Sequence, residues 1–274
     1  KAMIKQAIIP LAGLGTRLLP LTSVLPKELL PINGKPGLEY ILDECINCGI
    51  KEIILIVSKK KKHLIKKYFY NDAFYKKIIS TKKNDKRIRD EYLKIKRYKK
   101  IIKLVYQNSP RGTGDAVLKC KNFIKSKYFL MLMPDDLIIK NNCSLSLIKL
   151  HNKYKSSVIA SKKVNKNSVS RWGIFKHKKI DKRNFLITDV VEKPSIRSAP
   201  SKYAVIGRYI LPKKIFKVLK NQKPGKNGEI HITDSIRILI QERNKFIGHV
   251  FAGKYLDCGT MKGYINSGIE ISKL

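Results

Sequence analysis

The chain is short of acid: 20 aspartates and glutamates stand against 59 lysines and arginines, a formal charge of +39 over 274 residues. It is also short of cysteine, with five scattered from Cys45 to Cys258, an odd number. That excludes a disulfide framework and fits a reducing, cytoplasmic compartment. Cys45 and Cys48 form a C-x-x-C at the end of an amphipathic pattern, with no second pair at zinc spacing. A thioredoxin-type pair would open a helix, so these two read as structural. The five histidines form no cluster with metal-ligand spacing. No run of 18 apolar residues is present, so no membrane partner is expected. The N-terminal "KAMIKQAIIPLAGLG" breaks at Pro10 and Gly13 without a small-residue cleavage site and reads as a first buried strand. No G-x-S-x-G occurs, which excludes an acyl-transfer serine of that type, and no G-K-[ST], which excludes a P-loop.

The positive excess taken alone points to nucleic acid or another polyanion. It is, however, spread along the chain, mostly as lysine, and isoleucine and asparagine are abundant too. All three have AT-rich codons, so a biased genome produces this composition without selection for binding. No specific nucleic-acid partner is therefore expected, and a basic nucleic-acid-binding protein is the alternative from a different class.

Short β-rich apolar runs alternate with helical patterns. "QAIIPLA" (6–12), "EIILIV" (52–57), "IIKLVYQ" (101–107) and "YFLMLM" (128–133) read as strands buried on both faces. Between them, 37–47 places Leu38, Ile41, Leu42, Cys45 and Ile46 on one helical face, with Gly49 as a stop, and a second helix starts near Thr113 or Gly114. This alternation predicts an α/β fold with a mostly parallel central sheet covered by helices. Residues 71–100 interrupt the rhythm as a highly charged helical excursion. The second half supplies strands at 157–161, 172–175, 185–193 and 203–211, then helical patterns around 231–243 and 262–273. With no internal repeat and no Gly/Ser-rich linker, residues 1–274 are expected to form one domain, with halves of about 1–140 and 141–274.

In open sheets of this kind ligands bind beyond the carboxyl ends of strands, and the loops at those ends carry the chemistry-bearing residues. After the first strand comes "LAGLGTRLLPLTSVLPKELLP". Its Gly13 and Gly15 are followed by Leu18 where a dinucleotide fingerprint needs a third glycine, and Pro20 and Pro26 oppose a long helix. The loop therefore reads as a glycine turn whose amides face phosphates, reinforced by Thr16, Arg17 and Lys27, or as a plain tight turn. "LMPDDLI" puts Asp135 and Asp136 at a strand end, and Asp257 in "KYLDCGT" precedes another glycine turn. Carboxylates so placed suit Mg²⁺, which is bound by one or two of them plus substrate phosphates. "VVEKPSI" ends a strand with Glu192 and Lys193, a pair able to divide sugar hydroxyls and phosphate between them, or simply an exposed ion pair. "GEIHITDSI" (228–236) reads as a helix start capped by Thr233 or Asp234.

Taken in order, "AGLGTRLLPLT", "PKELLP", "GTGDAVL", "MPDD", "VVEKP", "IGRYIL", "GEIHITD" and "LDCGT" resemble the sugar-1-phosphate nucleotidylyltransferases. Within that superfamily the wording is similar to the bacterial UTP–glucose-1-phosphate uridylyltransferases, from about residue 5 to at least residue 265. The resemblance implies a Rossmann-like fold of the nucleotide-diphospho-sugar transferase type, with a smaller antiparallel part in the second half. It also implies UTP and glucose 1-phosphate as substrates, Mg²⁺ as cofactor, and a homo-oligomer, dimer or tetramer. Carried over by position, Ala12, Gly13, Gly15 and Thr16 cradle the nucleotide, and Arg17 and Lys27 face its triphosphate. Gln107 and Gly112 read the uracil edge, and Asp135 and Asp257 hold the metal, ahead of Asp136. Gly173 and Glu192 contact glucose, and Lys193 its phosphate. Arg17, Lys27, Asp135 and Lys193 are the expected catalytic set. A sibling enzyme using dTTP or another nucleotide is the nearer alternative. "NSPRGTGDAVL" departs from the family wording after the third strand, and Trp172 stands where members carry tyrosine before Gly173.

Overall fold

The first strand, β1 (Gln6–Pro10), is apolar at nearly every position because the sheet covers it on both faces. Ala7 and Ile9 enter one core while Ile8 enters the other, as the two-residue period of a strand requires. The computed structural model describes residues 4–82, 85–225 and 228–274. β4 (Glu52–Ser58) repeats the pattern beside β1, with β5 (Ile102–Gln107) beyond it and β6 (Tyr128–Leu132) on the other side of β1. β5-β4-β1-β6 is a parallel block. β2 (Pro31–Ile32) and β3 (Lys35–Pro36) form a small separate ribbon.

The expectation that 101–107 is buried on both faces does not hold. β5 is the sheet edge, with Lys103 and Tyr106 exposed. Its apolar run mimics an interior strand because Ile102 and Leu104 pack in one core and Val105 in the other.

The second half continues the same sheet in mixed sense. β11 (Tyr203–Pro212) runs antiparallel to β6 and joins β8 (Ser157–Lys163), β12 (Phe246–Val250), β10 (Asn184–Glu192) and β9 (Gly173–Lys179), for nine strands in all. One further pairing, Ala204 with Ile174, brings β9 back against β11, so these five strands return on themselves. β7 (Asp136–Ile139) and β13 (Lys254–Asp257) make a separate antiparallel pair with Asp136 opposite Asp257. Neither β12, β7 nor β13 is marked by a strong sequence pattern.

Helices cover both faces. α1 (Gly37–Asn47) has the bounds its periodicity predicts and buries Leu38, Ile41, Leu42 and Cys45. The charged excursion starts earlier than residue 71: α2 (Lys59–Tyr70) opens it, capped by the Ser58 side chain, and α3 (Asp72–Thr81) and α4 (Lys86–Ile101) follow. α2 and α4 bury Ile65, Phe69, Ile95 and Tyr98 on the α1 side. Two acids one turn apart on α1 hold them there: Glu39 accepts from Tyr68 and pairs with Lys94 at 2.9 Å, and Asp43 accepts from Tyr98 at 2.6 Å. α6 (Cys143–Tyr154) and α9 (Met261–Ile271) also contribute to this core, with α5 (Thr113–Leu118), α7 (Ile215–Asn221) and α8 (Ile232–Gln241) on the other. Cys45 and Cys48 are free and buried, with burial pushing Cys48 up to about 12, and so are the other three cysteines. No helix among the described residues is long and apolar enough to cross a membrane.

Candidate active site

The sheet order reverses at β1, since the chain goes to β4 and β5 on one side and then returns to β6 on the other. The carboxyl ends of β1 and β6 therefore flank a crevice, the expected ligand position of an open α/β sheet. A pocket of about 330 Å³ lies there, lined by Ala12, Gly13, Gly15 and Thr16 after β1, Lys27 beyond them, and Gln107 and Gly112 at the end of β5. Gly15 takes φ 71°, a left-handed turn that a side chain would strain, and Thr22 closes it by donating to its carbonyl at 2.8 Å.

A second pocket of about 350 Å³ shares Met133 with the first and is lined by Arg17, Asp135, Arg171, Trp172, Lys193 and Asp257. Between β9 and β10, Gly173 pairs directly with Glu192, so the two expected sugar contacts are cross-strand neighbours. Thr233 donates to Glu192 Oε2 at 2.8 Å, and Lys193 Nζ lies 3.7 Å from Glu192 Oε1. This corrects the capping expectation: α8 has His231 at its N-cap without a side-chain cap, and the Thr233 hydroxyl serves Glu192. A contact 41 residues away in sequence outcompetes the local cap.

Lys27 and Arg17 converge on Asp135, at 2.7 and 3.7 Å from its Oδ2. Partial burial opposes the Asp135 charge, but the Lys27 ammonium and then Arg17 override it and hold the carboxyl below its ordinary range. Burial likewise opposes the Lys27 charge, yet Asp135 and Glu28 raise its pKa. Asp136 turns the other way. It accepts from the Gly207 amide at 2.8 Å and from the Tyr255 hydroxyl at 2.6 Å, and burial, with Asp135 next to it, pushes it up to about 6. Both aspartates line the second pocket, but Asp136 is tied by these bonds to β11 and β13 while Asp135 is paired with Lys27.

Asp257 Oδ1 accepts the Gly259 amide at 2.9 Å, and Oδ2 lies 3.3 Å from Arg171 Nη2. A Cβ built on Gly259 would sit 2.7 Å from Asp135 Oδ2, 3.0 Å from Arg17 Nη2 and 3.2 Å from Asp257 Oδ1. The missing side chain thus leaves a cradle facing both carboxylates. Two hard oxygen donors with room for phosphates suit Mg²⁺, and among the described residues no cluster of three or more metal-ligating side chains occurs.

Two buried ion pairs escape any spacing rule. Arg208, wholly buried in β11, donates to both oxygens of Glu44 at 2.8 to 3.1 Å and to the carbonyls of Met133, Gly207 and Asp136. Lys61, in the first turn of α2, donates to Glu28 at 2.9 and 3.0 Å and to the Leu11 carbonyl at 2.9 Å. The first pair fixes the turn carrying Asp135. The second ties the glycine loop to the segment carrying Lys27. A lone charge inside "YAVIGRYIL" was the available signal for Arg208.

The end of the first pocket lined by Gln107 and Gly112 is built by backbone pairing. Gly112 adopts φ 96°, and a Cβ there would lie 2.7 Å from the Ile230 carbonyl. Ile230 N donates to Arg111 O at 2.8 Å and Gly114 N to Ile230 O at 2.7 Å, which locks "RGTG" against "GEI". Gln107 Nε2 donates to Asp115 Oδ2 at 2.7 Å and to the Gly112 carbonyl at 3.4 Å, which engages both amide hydrogens and leaves the carbonyl oxygen as the group able to accept.

The family model for nucleotidyl transferases matches residues 6–273. The UTP–glucose-1-phosphate uridylyltransferase of Mycoplasma pneumoniae is 35% identical over 271 residues, 97% of this chain and 91% of the relative. The enzyme of the same name from Bacillus subtilis is 34% identical over 273 residues, 98% and 91% of the two chains. A solved UDP-glucose pyrophosphorylase complexed with UDP-glucose superposes with a TM-score of 0.86 at 34% identity, covering 99% of each chain.

Proposed function

Because the chain belongs to the nucleotidyl transferase family, we propose that it transfers the uridylyl group of UTP to glucose 1-phosphate, giving UDP-glucose and pyrophosphate. The observation that carries this reading is the pair of adjoining pockets that share Met133, with Lys27 of the first bonded to Asp135 of the second at 2.7 Å, backed by relatives that bear this activity's name. A phosphate oxygen of the sugar phosphate attacks the α-phosphorus of UTP, the bond to the β-phosphate oxygen breaks, and pyrophosphate leaves in line. No protein nucleophile is needed, so catalysis is positioning plus neutralisation of charge.

The loop of Ala12, Gly13, Gly15 and Thr16 cradles the triphosphate, with Arg17 and Lys27 against its charge. Gln107, fixed by Asp115, offers its carbonyl as acceptor to the N3–H of uracil, and would face an acceptor in cytosine. Gly112 brings backbone close to the base. Gly173 and Glu192 hold the glucose, with Thr233 orienting the Glu192 carboxylate, and Lys193 meets its phosphate. Asp135 and Asp257 would hold Mg²⁺, which when bound supplies charge neutralisation on the reacting phosphates. Exposed Leu14, Leu19, Leu21, Val24 and Leu25 on one loop support self-association as a homo-oligomer, and five free buried thiols support a reducing, cytoplasmic location.

The test is pyrophosphate release from glucose 1-phosphate with UTP, dTTP, ATP, CTP and GTP, each with and without Mg²⁺. Mg²⁺-dependent release with UTP alone is expected, and Asp135→Asn should abolish it in a folded protein. Preference for dTTP would move the chain to a sibling activity. Silence with all five nucleotides would sink the proposal.

A further inference from the structure

Both candidate metal carboxylates carry a cation, but the two cations differ in kind. Asp135 is held by Lys27, whose side chain is 14% exposed and bonded to it at 2.7 Å. Asp257 is held by Arg171, 56% exposed and reaching it through one contact of 3.3 Å. Single-contact, solvent-exposed ion pairs are weak. Arg171 ends a short 3₁₀ turn (Lys166–Arg171) and directly precedes Trp172 and Gly173, with its guanidinium 5.9 Å from the Trp172 ring. It lines the same pocket as Lys193. One side chain thus stands between a carboxylate suited to a divalent cation and the space assigned to a sugar phosphate.

Resting on the function proposed above, we infer that Arg171 is a phosphate-binding residue for the sugar 1-phosphate, parked on Asp257 until a divalent cation takes that carboxylate. The logic is charge exclusion. A guanidinium and a divalent cation on one carboxylate repel each other, and the exposed, singly bonded arginine is the partner that yields. A freed guanidinium then has Lys193 as its neighbour, and a phosphate dianion is the ligand that two adjacent cations favour. Arginine suits that ligand because its planar fork donates two parallel hydrogen bonds to one phosphate, which an ammonium cannot do. Trp172 supports the side chain from the pocket wall through its ring face. Arg17 cannot take this part on the same terms, since its carboxylate, Asp135, keeps Lys27 in any case.

The test separates the two halves of the inference. Mn²⁺ is titrated alone into nucleotide-free protein and read by the electron paramagnetic resonance of the free ion, for wild type and Arg171→Ala. Removing the competing charge should tighten Mn²⁺ binding about three- to ten-fold, the scale of a unit charge a few ångströms away in a solvated site. In steady-state turnover, Arg171→Ala should raise KM for glucose 1-phosphate about ten-fold or more, as loss of hydrogen bonds to a charged group does, with KM for UTP within about two-fold. Arg171→Lys, which keeps the charge but not the fork, should leave Mn²⁺ binding near wild type and recover only part of the KM loss. Unchanged or weaker Mn²⁺ binding in Arg171→Ala overturns the parking on Asp257, and an unchanged KM for glucose 1-phosphate overturns the phosphate role. A wild-type protein that makes no UDP-glucose would instead fail the functional reading, and the Mn²⁺ titration would still report on Arg171 and Asp257.

Discussion

Replacing Arg208 by methionine removes a guanidinium that is entirely buried and fully engaged. The change strips Glu44 of its cation, leaving it the Ser144 amide and hydroxyl, and takes a donor from each of three carbonyls, Met133, Gly207 and Asp136. Breaking a buried pair from one side costs about 3–5 kcal/mol, because the remaining charge is stranded rather than because the pair itself is worth that much. With a urea slope of about 3 kcal/mol/M for a chain of this size, the unfolding midpoint should fall by roughly 1–1.7 M. Equilibrium unfolding followed by circular dichroism reads this directly, and an unchanged slope would assign the shift to stability. The double variant Arg208→Met/Glu44→Gln removes both charges and should lose about 2 kcal/mol less than the two single losses combined. A single-variant loss under about 1 kcal/mol, or strict additivity in the double variant, would refute the claim that this pair holds the turn under Asp135.

The raised pKa of Asp136, about 6, means that the folded chain keeps a proton that the unfolded chain releases near pH 4. Its contribution is complete below about pH 4 and lost as pH rises through 6, so wild type should lose on the order of 2 kcal/mol relative to Asp136→Asn between pH 4 and pH 8; a flat difference across that range would contradict it. Gly112→Ala forces a Cβ to 2.7 Å from the Ile230 carbonyl at a positive φ, and calorimetry should show UTP binding weakened by at least about ten-fold, at a strain of 1–3 kcal/mol; full affinity would remove Gly112 from the base site. All five thiols are buried, with Cys120 and Cys258 pushed up to about 12 by burial, so a thiol reagent at pH 8 should titrate none of them until denaturant is added. Rapid labelling of even one in the native state would contradict the packing.

What the sequence announces well here is local. The interior strands are legible because burial on both faces leaves unbroken apolar runs, and α1 because its apolar residues recur on one face. The glycine loop, the Asp135 turn and the Glu192–Lys193 strand end are legible because residue type and spacing fall where chain direction must reverse. What it conceals is pairing over distance. Arg208 and Glu44 are 164 residues apart, and Lys61 and Glu28 are 33 apart; each looks like one more charge in a chain with many. Thr233 is the instructive error, since a threonine at a helix start carries a genuine local signal that a distant carboxylate overrides. Arg171 is hidden for a related reason, as an exposed arginine becomes informative only once Asp257 is found beside it.

The two pockets hang from one sheet, and the seam between its parallel block and its second half is the antiparallel pairing of β6 with β11, in which Leu132 lies opposite Arg208 and Met131 opposite Tyr209. Sheet register changes in whole residues, about 3.3 Å at a time, and each single step turns every side chain to the opposite face. The alignment of two reacting groups, by contrast, tolerates errors of about 0.5 Å. Spacing between donor and acceptor is thus a discrete quantity in this fold, with one allowed value and none nearby. Variation in such a lineage should accumulate as loops and helical excursions of the kind seen at residues 59–101, because an inserted residue inside the seam has no small effect to offer selection.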